Sequence, residues 1–150
     1  MSEPVTVPLA DLYELDETAW LEQTAKLVSQ RRFKRIDVEH LSEYLSDMAI
    51  RDRREVKSRL VTLLIHLLKW EFQPKKRSNS WRGTIMEQRR ELADILESGT
   101  LRHHAEAVLE KSFAAARKQA AAETGLATDK FPQELPWTLD AIVDPDADLA

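Results

Sequence analysis

The sequence predicts an all-α fold: a single-domain helical bundle of about five helices, with a C-terminal segment packed over it. Three observations carry this reading. The 150 residues include only three glycines, and the middle of the chain is rich in Leu, Ala, Glu, Arg and Lys, the strong helix formers. Apolar residues recur at three- and four-residue steps, and no stretch alternates with period two for long enough to make a strand. A chain of this length buries roughly 68–70% of its unfolded surface in one domain, which is enough for a real core. The expected organisation is an N-terminal arm over 1–15, a helical bundle over 16–125 and a Pro/Asp-rich C-terminal segment over 126–150.

The first predicted helix opens after Asp16, an N-cap candidate, and carries Trp20, Leu21, Thr24, Leu27 and Val28 before ending in the basic run RRFKR. Asp37 caps the next, on which Val38, Leu41, Leu45 and Met48 recur at helical spacing. RDRREVKSR then leads into the most apolar segment. There Val56, Leu60, Leu63, Leu67 and Trp70 form one stripe, and Val61, Leu64, Leu68 and Phe72 a second beside it, as expected of a central helix. Pro74 stops that helix, because it has no amide donor and disfavours a helical Gln73. KKRSNS makes the turn, and Ser80 is placed to cap a fourth helix bearing Trp81, Ile85, Gln88, Leu92 and Ile95. So short a connection makes the two helices antiparallel neighbours. Ser98 or Thr100 caps a fifth helix with Leu101, Ala105, Val108, Leu109, Phe113, Ala116 and Ala120 on one stripe, closed near Gly125. Beyond it the chain turns irregular through Pro132 and Pro136, PWTLDAIVD forms one short helix, and PDADLA reads as frayed.

Composition narrows the function. Without cysteine there is no disulfide, thiolate metal site or thiol nucleophile. The acidic start MSEPVTVPLADLYELD is not a secretory signal, and the apolar run 60–68 is far short of a bilayer span, so the expectation is a cytoplasmic protein with no membrane contact. No glycine-rich phosphate loop or G-x-S-x-G elbow occurs, and the reading leans away from an enzyme. Asp37-x-x-His40 and His103-x-x-Glu106 lack the Glu-x-x-His pattern of di-iron bundles, so neither a metal nor a cofactor is expected. His66, set among leucines, reads as a neutral histidine hydrogen-bonded to a neighbouring helix.

The run HLLKWEFQPKKRSNSWRGTIMEQRREL at 66–92 resembles a bacterial domain-of-unknown-function family, number 29. The resemblance extends upstream to YELDETAW, to RRF at 31–33 and to IDVEHLSEYLSDM, and downstream to AAAETGL and FPQELPWTLDAI, about residues 11–143 in all. It implies a small all-helical bundle and brings no established activity, substrate or cofactor. The family pattern has a glycine just after the methionine of the second helix. Here Met48 is followed by Ala49 and Ile50, so the second and third helices either turn or run on as one.

The net charge of −4 hides segregation: residues 69–90 hold seven basic and two acidic side chains, residues 129–150 one lysine and six carboxylates. Such asymmetry marks either a polyanion-binding face or a basic face covered by the chain's own acidic tail. Lys75, Lys76, Arg77, Arg82, Arg89 and Arg90 are the candidates for contact with an anionic partner. Trp70, Trp81 and Trp137 are candidates either for aromatic recognition or for the core. The favoured function is a non-enzymatic helical interaction module that binds a protein partner or self-associates. A nucleic-acid-binding protein using the basic corner is the alternative, and an enzyme or metal-binding bundle the least supported.

Overall fold

The computed structural model describes residues 7–149, and among these every regular element is helical. The helices are α1 (Leu9–Leu15), α2 (Glu17–Ser29), α3 (Val38–Phe72), α4 (Asn79–Ile95), α5 (Gly99–Thr124) and α6 (Leu139–Val143). Short 3₁₀ turns lie at Phe33–Arg35, Pro74–Lys76 and Thr128–Lys130. The all-α expectation therefore holds, with two differences in how the helices are divided: the second and third expected helices are one, and α1 lies inside the expected N-terminal arm, whose first six residues are outside the described range. Of the two courses left open after Met48, the chain takes the continuous one. With alanine where the family pattern has glycine, α3 continues for 35 residues, since neither Ala49 nor Ile50 relieves the cost of leaving the helix.

Contacts divide the chain into two units, up to Ile50 and from Arg51 onward. The first is assembled around one indole. Asp16 ends α1 through its amide to Leu12 O (2.8 Å) and caps α2, its carboxylate accepting from the Ala19 amide at 3.1 Å. That places Trp20 in the first turn of α2, where it is wholly buried; among the described residues of this unit only Thr24 joins it. α2 closes on a Schellman turn, with the Arg31 and Arg32 amides donating to Val28 O and Leu27 O. Arg31 takes the left-handed conformation (φ 57°) normally left to glycine there.

The second unit is a conventional bundle core. Val56, Leu60, Leu63, Leu67 and Trp70 are all buried, as their stripe predicts. The second stripe is buried at Leu64 and Leu68 but opens at its end, where Phe72 is exposed and meets Phe131 edge-on. Against these pack Ile85 and Leu92 of α4, then Ala105, Phe113, Ala116 and Ala120 of α5. Pro74 ends α3 as expected. The α4 cap is Ser78 rather than Ser80: its hydroxyl accepts from the Trp81 amide at 3.2 Å, because the chain enters the helix two residues earlier than the sequence suggests. Ser98 caps α5, and Gly125 closes it in the left-handed region at φ 75°.

The C-terminal segment belongs to this core. Phe131, Leu139, Ile142 and Val143 are buried, and Leu149 packs against them half-buried. The reading of PDADLA as frayed is corrected: Asp144 turns the chain by accepting from the Asp146 amide, and Ala147 O accepts from Arg89.

Two substitutions on α3 separate buried from bare positions. Leu63→Ala is expected to cost about 2–5 kcal/mol in urea unfolding, and Leu45→Ala on the exposed part of the same helix less than about 0.5 kcal/mol. Equal losses would contradict the burial described here.

Candidate functional site

The basic residues predicted at the α3–α4 corner divide into three groups. Lys75 and Lys76 stand exposed on the 3₁₀ turn, and Arg90 is exposed with its guanidinium 3.8 Å from Glu91. Arg77 and Arg82 fold back over the end of α3. Their guanidiniums lie 4.8 and 5.0 Å from the centroid of the Trp70 ring, within cation–π range. Arg77 Nε also donates to the Trp70 carbonyl at 2.8 Å. Trp70, Arg77, Ser78, Asn79, Arg82 and Leu149 line an open cavity of about 420 Å³.

Arg89 departs from the expectation. It is buried, and donates from Nε to Ile142 O (3.0 Å) and from Nη1 to Ala147 O (3.2 Å). Burial pulls its guanidinium below the usual arginine value, and nearby Asp144 offsets part of that. Arg89 is thus a structural pin for the tail. Its neighbour Arg90, one residue on, points to solvent because adjacent helix positions lie about 100° apart.

The tryptophans are mainly structural. Trp70 is buried. Trp81 is half-buried against the core, with the Lys69 ammonium 5.7 Å from its ring centroid, and Lys69 pairs with Glu123 at 3.0 Å. The hydrogen bond from Lys69 outweighs burial and lowers the Glu123 carboxyl. Trp137 is also half-buried on the core, and lines a smaller cavity of about 150 Å³ with Trp70, Arg89, Ile142 and Leu149. His66 donates to Thr62 O of its own helix at 2.8 Å, not to a neighbouring helix as expected.

The first unit holds a polar cluster of which the sequence showed the Asp37 cap and the Asp37-x-x-His40 spacing, but not the aromatic partners. Asp37 caps α3 through the His40 amide (3.3 Å), and its other oxygen accepts from the Trp20 indole (3.2 Å) and from His40 Nδ1 (2.6 Å). Tyr13 stacks on the His40 ring at 4.3 Å and meets Trp20 edge-on at 4.9 Å. Burial pushes the Asp37 carboxyl up, but the hydrogen bonds from His40 and Trp20 win and hold it below its usual value. The hydrogen bond to Asp37 raises His40 in turn, against a smaller opposing effect of burial. Tyr13 is raised by burial and by Glu43, Asp47, Glu17 and Glu14. Chemically the cluster is a carboxylate–imidazole pair locked between aromatic rings. The signals that could have found it are Asp37 and His40 at i, i+3 behind a tryptophan.

A third feature is apolar. Val38, Ser42, Leu45 and Ala49 follow one another at steps of four, three and four on α3, hence along one face. All four are exposed, Val38 at 66% and Leu45 at 59%.

The model of a family described as Domain of unknown function DUF29 matches residues 12–147, nearly the whole chain, and the chain belongs to that family. No curated protein matches it. No solved structure matches it either. Among the described residues no helix is long and apolar enough to cross a membrane.

Two measurements check these assignments. Arg89→Ala removes two charge-assisted hydrogen bonds and leaves two carbonyls without their donor, so urea unfolding should show a loss of about 3 kcal/mol, against less than about 0.5 kcal/mol for Arg90→Ala. In the first unit, His40 should titrate by NMR with a midpoint above 6.5. Its raised value means that its stabilisation is full below 6.5 and is lost as pH rises through the folded-state midpoint. The lowered Asp37 contributes above 3.8 and loses its contribution as pH falls through its own folded value. Thermal melting should therefore drop on raising the pH from about 6 to 8 in the natural protein, with a flatter response in His40→Gln. Identical pH profiles would remove the pair from the account.

Proposed function

For this member of the DUF29 family, we propose a non-enzymatic role as a helical interaction module that self-associates through the exposed face of α3 that carries Val38 and Leu45. The observation that supports it is the row Val38, Ser42, Leu45, Ala49, two large and two small residues on one exposed face. In the second unit the same three- and four-residue spacing, at Val56, Leu60, Leu63 and Leu67, builds a closed core. In the first unit Val38 and Leu45 stand exposed at this spacing, and large apolar side chains exposed on one helix face suit an interaction site. Phe33, 60% exposed in the turn leading into α3, adds to the apolar surface of this unit.

The order of large and small residues favours a second copy of the chain as the occupant. A two-fold axis crossing α3 between Glu43 and Tyr44 sets Val38 of one copy opposite Ala49 of the other, and Leu45 opposite Ser42. Each large side chain then faces a small one, the arrangement that lets two helices approach and interdigitate. A two-fold, isologous pairing is also the commonest way for a soluble protein to dimerise.

The nucleic-acid alternative draws less support. The ring it offers for base stacking, Trp81, is half-buried against the core with the Lys69 ammonium beside it, and Arg89 bonds to the tail.

Sedimentation velocity and cysteine cross-linking test the proposal. The natural chain should pass from monomer to dimer across about 1–100 μM, and Leu45→Glu should weaken the dimer at least about tenfold by placing carboxylates in the seam. The chain has no cysteine of its own, so introduced thiols report cleanly. The Val38→Cys/Ala49→Cys variant should oxidise to a covalent dimer more readily than Val38→Cys alone. A monomer at every concentration would overturn the proposal, and efficient linking by Val38→Cys alone would overturn the antiparallel register.

A further inference from the structure

We infer that the basic turn between α2 and α3 holds a single strand of nucleic acid, with Lys26, Arg31, Arg32, Lys34 and Arg35 on its phosphates and the Phe33 ring stacked on one base. The surface lies wholly in the first unit, and shares no residue with the α3–α4 corner or with the row from Val38 to Ala49.

Charge is sharply sorted here. The first fifty residues hold five basic and ten acidic side chains; all five basic ones fall within 23–36, and none of the acidic ones does. All five cations are exposed. The helix has no need of most of them. A helix dipole acts within its last turn, where α2 has Lys26, whereas Arg31, Arg32, Lys34 and Arg35 lie beyond its end at Ser29. Cations crowded in one turn repel one another, and a run of phosphates turns that repulsion into attraction while releasing its own counterions. Exposed Glu22 and exposed Glu39 bound the stretch on either side, so the positive surface is a strip. A single strand can follow such a strip, whereas a flat anionic membrane would also meet the carboxylates that flank it.

Two further features suit a strand rather than bare negative charge. Phe33 stands 60% exposed between Arg32 and Lys34, and an exposed ring among cations can stack on any base. On the last turns of α2 and just beyond, Gln23, Lys26, Leu27, Gln30 and Arg32 line an open cavity of about 530 Å³. Leu27 gives it a half-buried apolar wall, and the two glutamine amides both donate and accept, as base edges and sugar hydroxyls require beside a phosphate backbone. The main chain under these groups is fixed. The Arg31 and Arg32 amides close α2 at 3.0 and 2.9 Å, and those of Arg35 and Ile36 donate to Arg32 O and Phe33 O at 3.1 and 3.3 Å. A strand therefore meets a preset backbone, and less order has to be created on binding.

Fluorescence anisotropy of the full chain with labelled oligo-dT and oligo-rU strands of about 15 nucleotides, at about 50 and 200 mM salt, tests this. Saturable binding to at least one strand is expected, weakening about a hundredfold between the two salts, as for five phosphates at a slope of about 0.7 each. Phe33→Ala should weaken binding about tenfold with unchanged melting, and Lys34→Gln/Arg35→Gln should reduce the salt slope by about 1.4. Lys75→Gln/Lys76→Gln should leave the affinity within about twofold. Leu45→Glu should still bind, which keeps this surface separable from the pairing of α3. Polyglutamate competing as well as unlabelled oligo-dT and oligo-rU would reduce the surface to bare charge and overturn the strand. Binding to phosphatidylserine vesicles but to neither strand would give the turn to a membrane surface. A loss confined to Lys75→Gln/Lys76→Gln would move the contact to the corner, and no binding at about 50 mM salt, with the protein folded, would overturn the inference outright.

Discussion

A buried donor must be given an acceptor, and that constraint organises both units of this protein. In the first unit the donor is the Trp20 indole: burying the ring without a partner for its N–H would cost on the order of 1–3 kcal/mol. Asp37 supplies the partner, and it is also the residue that caps α3. One carboxylate thus fixes where the long helix begins and how α2 lies against that beginning. In the second unit the donor is Arg89, and its acceptors are main-chain carbonyls of Ile142 and Ala147. A guanidinium buried there can be tolerated only if the tail is in place, so the acidic segment is held by hydrogen-bond demand as well as by apolar packing.

This changes what the segregated charge means. The strongly basic stretch and the strongly acidic one suggest a simple electrostatic cover. The contacts are more selective. Arg102 pairs with Asp140, Arg117 donates to Phe131 O, and Arg89 ignores carboxylates in favour of carbonyls. Lys75 and Lys76 remain exposed. The tail is attached through three arginines of α4 and α5 and four buried apolar side chains, not through the lysines of the corner.

Much of the fold was legible because helical periodicity is a strong signal. The stripe from Val56 to Trp70, the stop at Pro74 and the caps at Asp16, Asp37 and Ser98 each follow from local chemistry that operates the same way in any helix. What was not legible depended on tertiary partners. Arg89 and Arg90 are identical as sequence, and only the helix phase against the tail makes one a pin and the other a surface charge. α1 is too short for its periodicity to register over 9–15, and no residue of it is buried. Asp37 and His40 were visible as a pair at i, i+3, but their meaning lies in Trp20, seventeen residues earlier, and in Tyr13 stacked on the ring.

The exposed face of α3 follows from the same reasoning applied to apolar groups. Large residues at Val38 and Leu45 are costly in water, roughly 1.5–3 kcal/mol each relative to full burial, and nothing in the local helix requires them. Glutamate or lysine would serve the helix as well. The cluster around Trp20 uses His40 and Tyr44, which lie on another side of the helix from Val38 and Leu45, so the two rows are not competing for one core. The bonds that satisfy the Trp20 and Arg89 donors do not involve the row from Val38 to Ala49. Its alternation of large and small side chains, placed symmetrically about the midpoint between Glu43 and Tyr44, is what supports the proposed pairing with a second copy.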